Sequence, residues 1–112
     1  MTTVTFYRKD GIIIGFKVEG HAGYANIGSD IVCAAISTLA QATIMGLKYV
    51  VGIDVLVEQG DGFLSCNTKP FMEHDSKVKS QVLLATMRMA MQDIAHAYKS
   101  FIKVCTITED SI

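Results

Sequence analysis

Residues 20–37 read Gly20-His21-Ala22-Gly23-Tyr24-Ala25-Asn26-Ile27-Gly28-Ser29-Asp30-Ile31-Val32-Cys33-Ala34-Ala35-Ile36-Ser37. Before this stretch apolar residues recur at every second position, and after it at every third or fourth. It is the junction at which strand gives way to helix, and it makes the chain an α/β protein. The junction holds three glycines, Gly20, Gly23 and Gly28, and no hydrophobic periodicity, as a loop with wide backbone freedom does. Ser29 supplies an N-cap and Asp30 a first-turn carboxylate. A helix is therefore expected from Asp30 to about Val50, with Ile31, Ala35, Leu39, Ala42 and Met45 recurring at helical spacing.

Outward from the junction, the N-terminal side reads as a hairpin. Thr3 to Arg8 alternates, Lys9-Asp10-Gly11 is a turn signal, and Ile12, Ile14, Phe16 and Val18 share one face of the return strand. On the C-terminal side, Val55 to Val57, the turn Gln59-Gly60-Asp61-Gly62 and Phe63 to Asn67 form a second hairpin. Asp75-Ser76 starts a second helix, whose apolar stripe is Leu83, Met87, Ala90, Met91, Ile94, Tyr98 and Phe101. Its opposite face carries Gln81, Arg88, Gln92 and Lys99, and Ile102 to Thr108 closes the chain as a last strand. The order ββαββαβ predicts a two-layer α/β sandwich: a mostly antiparallel sheet of about five strands under two helices, in one domain spanning residues 1–112.

Composition narrows the function. Half of the 112 residues are hydrophobic, more than a domain of this size needs for its own core, which points to a second buried surface such as a dimer interface. Ten basic residues against eleven acidic ones give no basic footprint, so direct binding to nucleic acid is not expected. Three unclustered cysteines argue against a disulfide framework. No charged n-region or apolar h-region opens the chain, and no apolar run is expected to reach the roughly 20 residues of a membrane span. A reducing cytoplasm is the expected compartment.

The chemistry concentrates at His21 and Cys33. On this reading Cys33 is the fourth residue of the helix, near its unpaired backbone N–H groups, where an anion is favoured. A thiol so placed, with an imidazole in reach, becomes a thiolate nucleophile, and His21 would serve as its acid and base. Backbone N–H groups at the helix start, that of Cys33 included, would hold the oxyanion. Asp30 either orients the imidazole or only caps the helix, and its charge opposes ionisation of the thiol. Ser37, one turn beyond Cys33, shapes the pocket. Taken singly these residues have simpler readings, because a cysteine in an apolar helix is most often a small core residue and a histidine after a strand is most often structural.

Together, Gly20-His21-Ala22 and Gly28-Ser29-Asp30-Ile31-Val32-Cys33-Ala34-Ala35-Ile36-Ser37 closely resemble the ribosomal-processing cysteine protease family, Prp. The resemblance covers nearly the whole chain. It implies a small α/β sandwich that forms homodimers, with His21 and Cys33 as the catalytic pair. It further implies removal of a short N-terminal extension from a large-subunit ribosomal protein, with cleavage after a hydrophobic and aromatic stretch and before a small residue. The loop from Gly23 to Gly28 would move to admit the peptide.

The remaining candidates read as structural. Cys66 and Cys105 fall in alternating runs and are expected as buried strand residues; His74 is expected in a solvated loop, and His96 to play a structural part. The run Met87 to Met91 reads as core packing. No CxxC or HxxxH spacing supports zinc, so neither metal nor cofactor is expected. Two alternatives stand beside the peptidase: a phosphate-binding module, although the loop lacks the Walker lysine and the GxGxxG spacing, and a non-catalytic dimeric ribosome-assembly factor.

Overall fold

The alternating segment before the junction folds back on itself at Asp10-Gly11, where φ is 52° and 79°. Two successive left-handed residues give the tight turn that matches the twist of paired strands. The turn joins β1 (Thr2–Lys9) to β2 (Ile12–Glu19) in antiparallel register. The computed structural model describes residues 1–20, 27–69 and 72–109, with the backbone alone for 27–30.

The register slips once. Tyr7 lies opposite Gly15 and Arg8 opposite Ile13, which leaves Ile14 as the extra residue of a bulge. The slip corrects the expected face of β2. Phe16 is buried and Val18 packs against the core, but Ile13 enters the core in place of Ile12 and Ile14. The backbone around the bulge finds an unusual partner in Gln81. Its Oε1 accepts from the Ile13 N–H at 2.8 Å, while its Nε2 donates to the Ile13 carbonyl at 2.8 Å.

The first helix, α1, spans Ile27–Met45 and continues as a π-helical segment, Gly46–Val51. The expected end near Val50 is met. The start lies earlier than expected, so Gly28 and Ser29 are helical residues rather than loop and cap. Gly52, at φ 83°, stops the helix and donates its N–H to the Leu47 carbonyl at 3.0 Å. Ile31–Val51 has the length and hydropathy of a membrane-crossing helix, contrary to the expectation that no apolar run approaches that length. In the fold its apolar stripe of Val32, Ile36, Ala40, Ile44 and Leu47 is part of the core.

A second hairpin, β3 (Val55–Gly60) and β4 (Phe63–Thr68), precedes α2 (His74–Ala97) and β5 (Ile102–Glu109). The sheet order is β3-β4-β2-β1-β5, with only the β1–β5 pair parallel. This is the expected five-stranded, mostly antiparallel sheet with two helices. Val4, Phe6, Phe16, Leu64 and Cys66 share one face of the sheet and form a single core with α1 and with Leu84, Met87 and Met91 of α2. The buried stripe of α2 is centred on Leu84 rather than Leu83, which turns Gln81 and Arg88 away from the fully solvated face assigned to them. A Cβ on Gly46 would lie 2.9 Å from Leu83 Cδ1, so the bare backbone there admits the neighbouring helix.

Candidate active site

At one end of the sheet β1 begins, β2 ends and β4 begins, and the first half of α1 crosses above them. Thr3 pairs with Glu19, which sets Thr2 beside Gly20, and the Gly20 N–H donates to the Gly62 carbonyl at 2.9 Å. Gly20 is irreplaceable on two counts. Its φ of 94° suits glycine alone, and a Cβ would lie 2.5 Å from the Met1 carbonyl oxygen. Three strand ends are thereby drawn close together below the helix.

Between them and α1 lies a cleft of about 220 Å³. Cys33, Ser37 and Gln41 of α1 form one wall, and Gln59, Gly60, Gly62 and Phe63 of the second hairpin the other. Val18, Ile36, Ala40 and Leu64 add an apolar lining, and Thr2 stands at the Cys33 end. Cys33 is half-buried, with its Sγ 3.9 Å from Thr2 Oγ1. Ser37, one turn further along the same face, is exposed at the rim.

Because α1 starts at Ile27, Cys33 is the seventh helical residue and lies in the second turn. This corrects the expected placement in the first turn. Its backbone N–H falls within the regular helical ladder, so it is not an oxyanion donor; the unpaired N–H groups belong to the first turn. The helix dipole, which fades within one turn, acts on the sulfur less than the sequence suggested. Asp30 is the fourth helical residue, but its pairing with the imidazole lies outside the described residues, as do His21 and Gly23.

The other cysteines lie in strands as expected, but only Cys66 is buried; Cys105 is half-buried. Cys66 is buried on β4, and burial pushes its thiol up to about 11, against a weaker opposing pull from the Lys48 ammonium. Cys105 on β5 lies 3.5 Å from Thr5 Oγ1. Among the described residues, no three His, Cys, Asp or Glu side chains converge as a metal site would require.

Sequence reasoning missed Thr2 and the wall formed by Gln59 to Phe63. Thr2 had a signal, since period two carries the buried positions Val4 and Phe6 back one step to residue 2. The hairpin wall had none, because its place across the cleft follows from sheet order.

The family model for cysteine protease Prp matches residues 1–103. The chain belongs to that family. By membership in the Prp family it is a cysteine peptidase, and neither the phosphate-binding nor the non-catalytic alternative is carried further. A Bacillus subtilis relative, the ribosomal processing cysteine protease Prp, is 25% identical over 96 residues, covering 84% of this chain and 86% of that protein. A crystal structure of a Streptococcus mutans protein superposes with a TM-score of 0.81 at 27% identity, covering 97% of this chain and 96% of the other. The essential ribosomal processing protease Prp from S. aureus, in complex with a covalently linked product peptide, gives a TM-score of 0.82 at 23% identity. That match covers 96% of this chain and 100% of the other, and shows that the two share the Prp fold.

Proposed function

We propose that this peptidase removes the N-terminal extension of a large-subunit ribosomal protein, with Cys33 as nucleophile and His21 as general acid and base. The observation that carries the reading is the half-buried Cys33 sulfur opening on a cleft that borders Gly20, the residue immediately before His21. The Bacillus subtilis relative is a ribosomal processing protease, and the S. aureus protein binds substrate and product peptides, which supports the same substrate class here.

The steps follow from the groups present. The Cys33 thiolate adds to the scissile carbonyl carbon, and the carbonyl π pair moves to oxygen. Unpaired N–H groups of the first turn of α1 hold the oxyanion. Collapse breaks the C–N bond, and the His21 imidazolium gives its proton to the departing amine. Neutral His21 then takes a proton from water, hydroxide adds to the thioester, and the C–S bond breaks to release the acid and restore the imidazolium–thiolate pair. Val18, Ile36, Ala40 and Leu64 suit apolar side chains of the bound peptide, while Ser37 shapes the rim. Asp30, in the first helical turn, complements the helix dipole. The near-balance of charge fits a peptide rather than nucleic acid as direct partner, in the cytoplasm.

The test is cleavage of a peptide spanning an apolar and aromatic stretch followed by a small residue. Wild type cleaves it, and Cys33→Ala and His21→Ala each lose at least about a thousandfold, as removal of a triad member does. Cleavage persisting in Cys33→Ala sinks the assignment.

We also propose that the chain works as a homodimer. Met45, Tyr49 and Val50 near the end of the first helical segment, and Val82 and Met89 on α2, are exposed and apolar, with Val50 84% accessible. Light scattering at micromolar concentration should report twice the 12.2 kDa chain mass; a monomer would contradict this.

A further inference from the structure

Thr2 opens β1 on the core side of the sheet, in phase with Val4 and Phe6, and only 1% of its surface is exposed. Its position is fixed by the backbone: its N–H donates to the Phe101 carbonyl at 2.9 Å, and its ladder partner is Ile102. A buried hydroxyl costs free energy unless it is used, and valine would fill the same space in a strand without that cost. The hydroxyl oxygen stands 3.9 Å from Cys33 Sγ at the end of the cleft.

We propose that Thr2 is the positioning residue of the nucleophile, donating its hydroxyl hydrogen to the ionised Cys33 sulfur and holding it toward the cleft. The inference rests on Cys33 being the nucleophile. At 3.9 Å the contact is loose for a neutral thiol, and negative charge on sulfur draws the O–H in. The described residues lining the cleft, from α1, β1, β2 and the second hairpin, include no charged side chain. Titratable groups adjoin the lining residues in sequence: the Met1 ammonium beside Thr2, Glu19 beside Gly20, Asp61 between Gly60 and Gly62, and His21 and Asp30, whose side chains lie outside the described set. Thr2 therefore supplies a hydrogen bond to the anion from a cleft whose described lining side chains are all uncharged.

The test compares wild type, Thr2→Val, Thr2→Ala and Thr2→Ser as full-length chains of matched thermal melting. The readouts are peptide kcat and KM, and the pH profile of iodoacetamide labelling at Cys33. In Thr2→Val both the kcat and labelling profiles move upward by about one pH unit. The rate at neutral pH accordingly falls about tenfold, recovers at high pH, and KM stays within about twofold. Thr2→Ala behaves like Thr2→Val, whereas Thr2→Ser restores the wild-type profile. Wild-type profiles in Thr2→Val overturn the proposal, as does a Thr2→Ser variant that fails like Thr2→Val, since the methyl rather than the hydroxyl would then matter. A Cys33→Ala control separates the two levels: inactive Cys33→Ala with a normal Thr2→Val defeats this inference alone, and active Cys33→Ala defeats the nucleophile assignment beneath it.

Discussion

Cys33, half-buried, and Cys66, buried, differ in accessibility, and each carries a measurable consequence. Cys66 is 1% exposed, between Phe16 and Val57 across the ladder. Its ordinary value is 9.0, and burial raises it to about 11. Between these values the unfolded chain releases a proton that the folded chain retains. Stability therefore falls as pH rises through that window, by roughly 3 kcal/mol in total. Urea unfolding at pH 7 and pH 10, midway through the window, should show about half of that loss in wild type and a smaller one in Cys66→Ala. At pH 8, alkylation followed by peptide mapping should find label at Cys33 and none at Cys66 in the native state. Gly20→Ala is the corresponding backbone test. It forces a left-handed residue and a Cβ against the Met1 carbonyl, and it should destabilise the chain by about 1–3 kcal/mol while disturbing the Cys33 end of the cleft.

The elements were legible in the sequence because each carries its own period. Five alternating or apolar runs and two helical stripes gave the strand and helix order, and two Asp-Gly turns gave the hairpins. Phase within an element was less legible. A bulge leaves no mark on composition, so Ile12 and Ile14 looked buried where Ile13 is. Gln81 looked solvent-facing for a related reason, since its partner is the backbone near that bulge, 68 positions away. The depth of Cys33 was misjudged because Gly28 and Ser29 favour loop and cap locally, yet the helix runs through both. His21 and Cys33 stood out as candidates by residue type and setting, whereas the contact of Thr2 with Cys33 depends on packing. Gln81→Leu removes donor and acceptor together and leaves the Ile13 N–H and carbonyl without that amide. The expected loss is about 2–3 kcal/mol in urea unfolding, with Gln81→Glu intermediate because it keeps an acceptor.

Across the whole molecule, the first strand and the last lie side by side. Thr2 to Lys9 run parallel to Ile102 to Glu109, and contacting residues such as Thr5 and Cys105 are 100 positions apart. The β1–β2 and β3–β4 pairs are hairpins and β2–β4 spans the first helix, but this pairing closes a loop of nearly the full chain length. During synthesis, then, the strand that bears Thr2 waits with one edge bare until β5 has emerged. A fragment ending at Lys99 should bind hydrophobic dye, associate through that edge, and cleave nothing. Prematurely ended copies would therefore carry Cys33 without a finished cleft around it. Proteolytic power would be withheld from incomplete translation products by strand order alone, with no propeptide or inhibitor required.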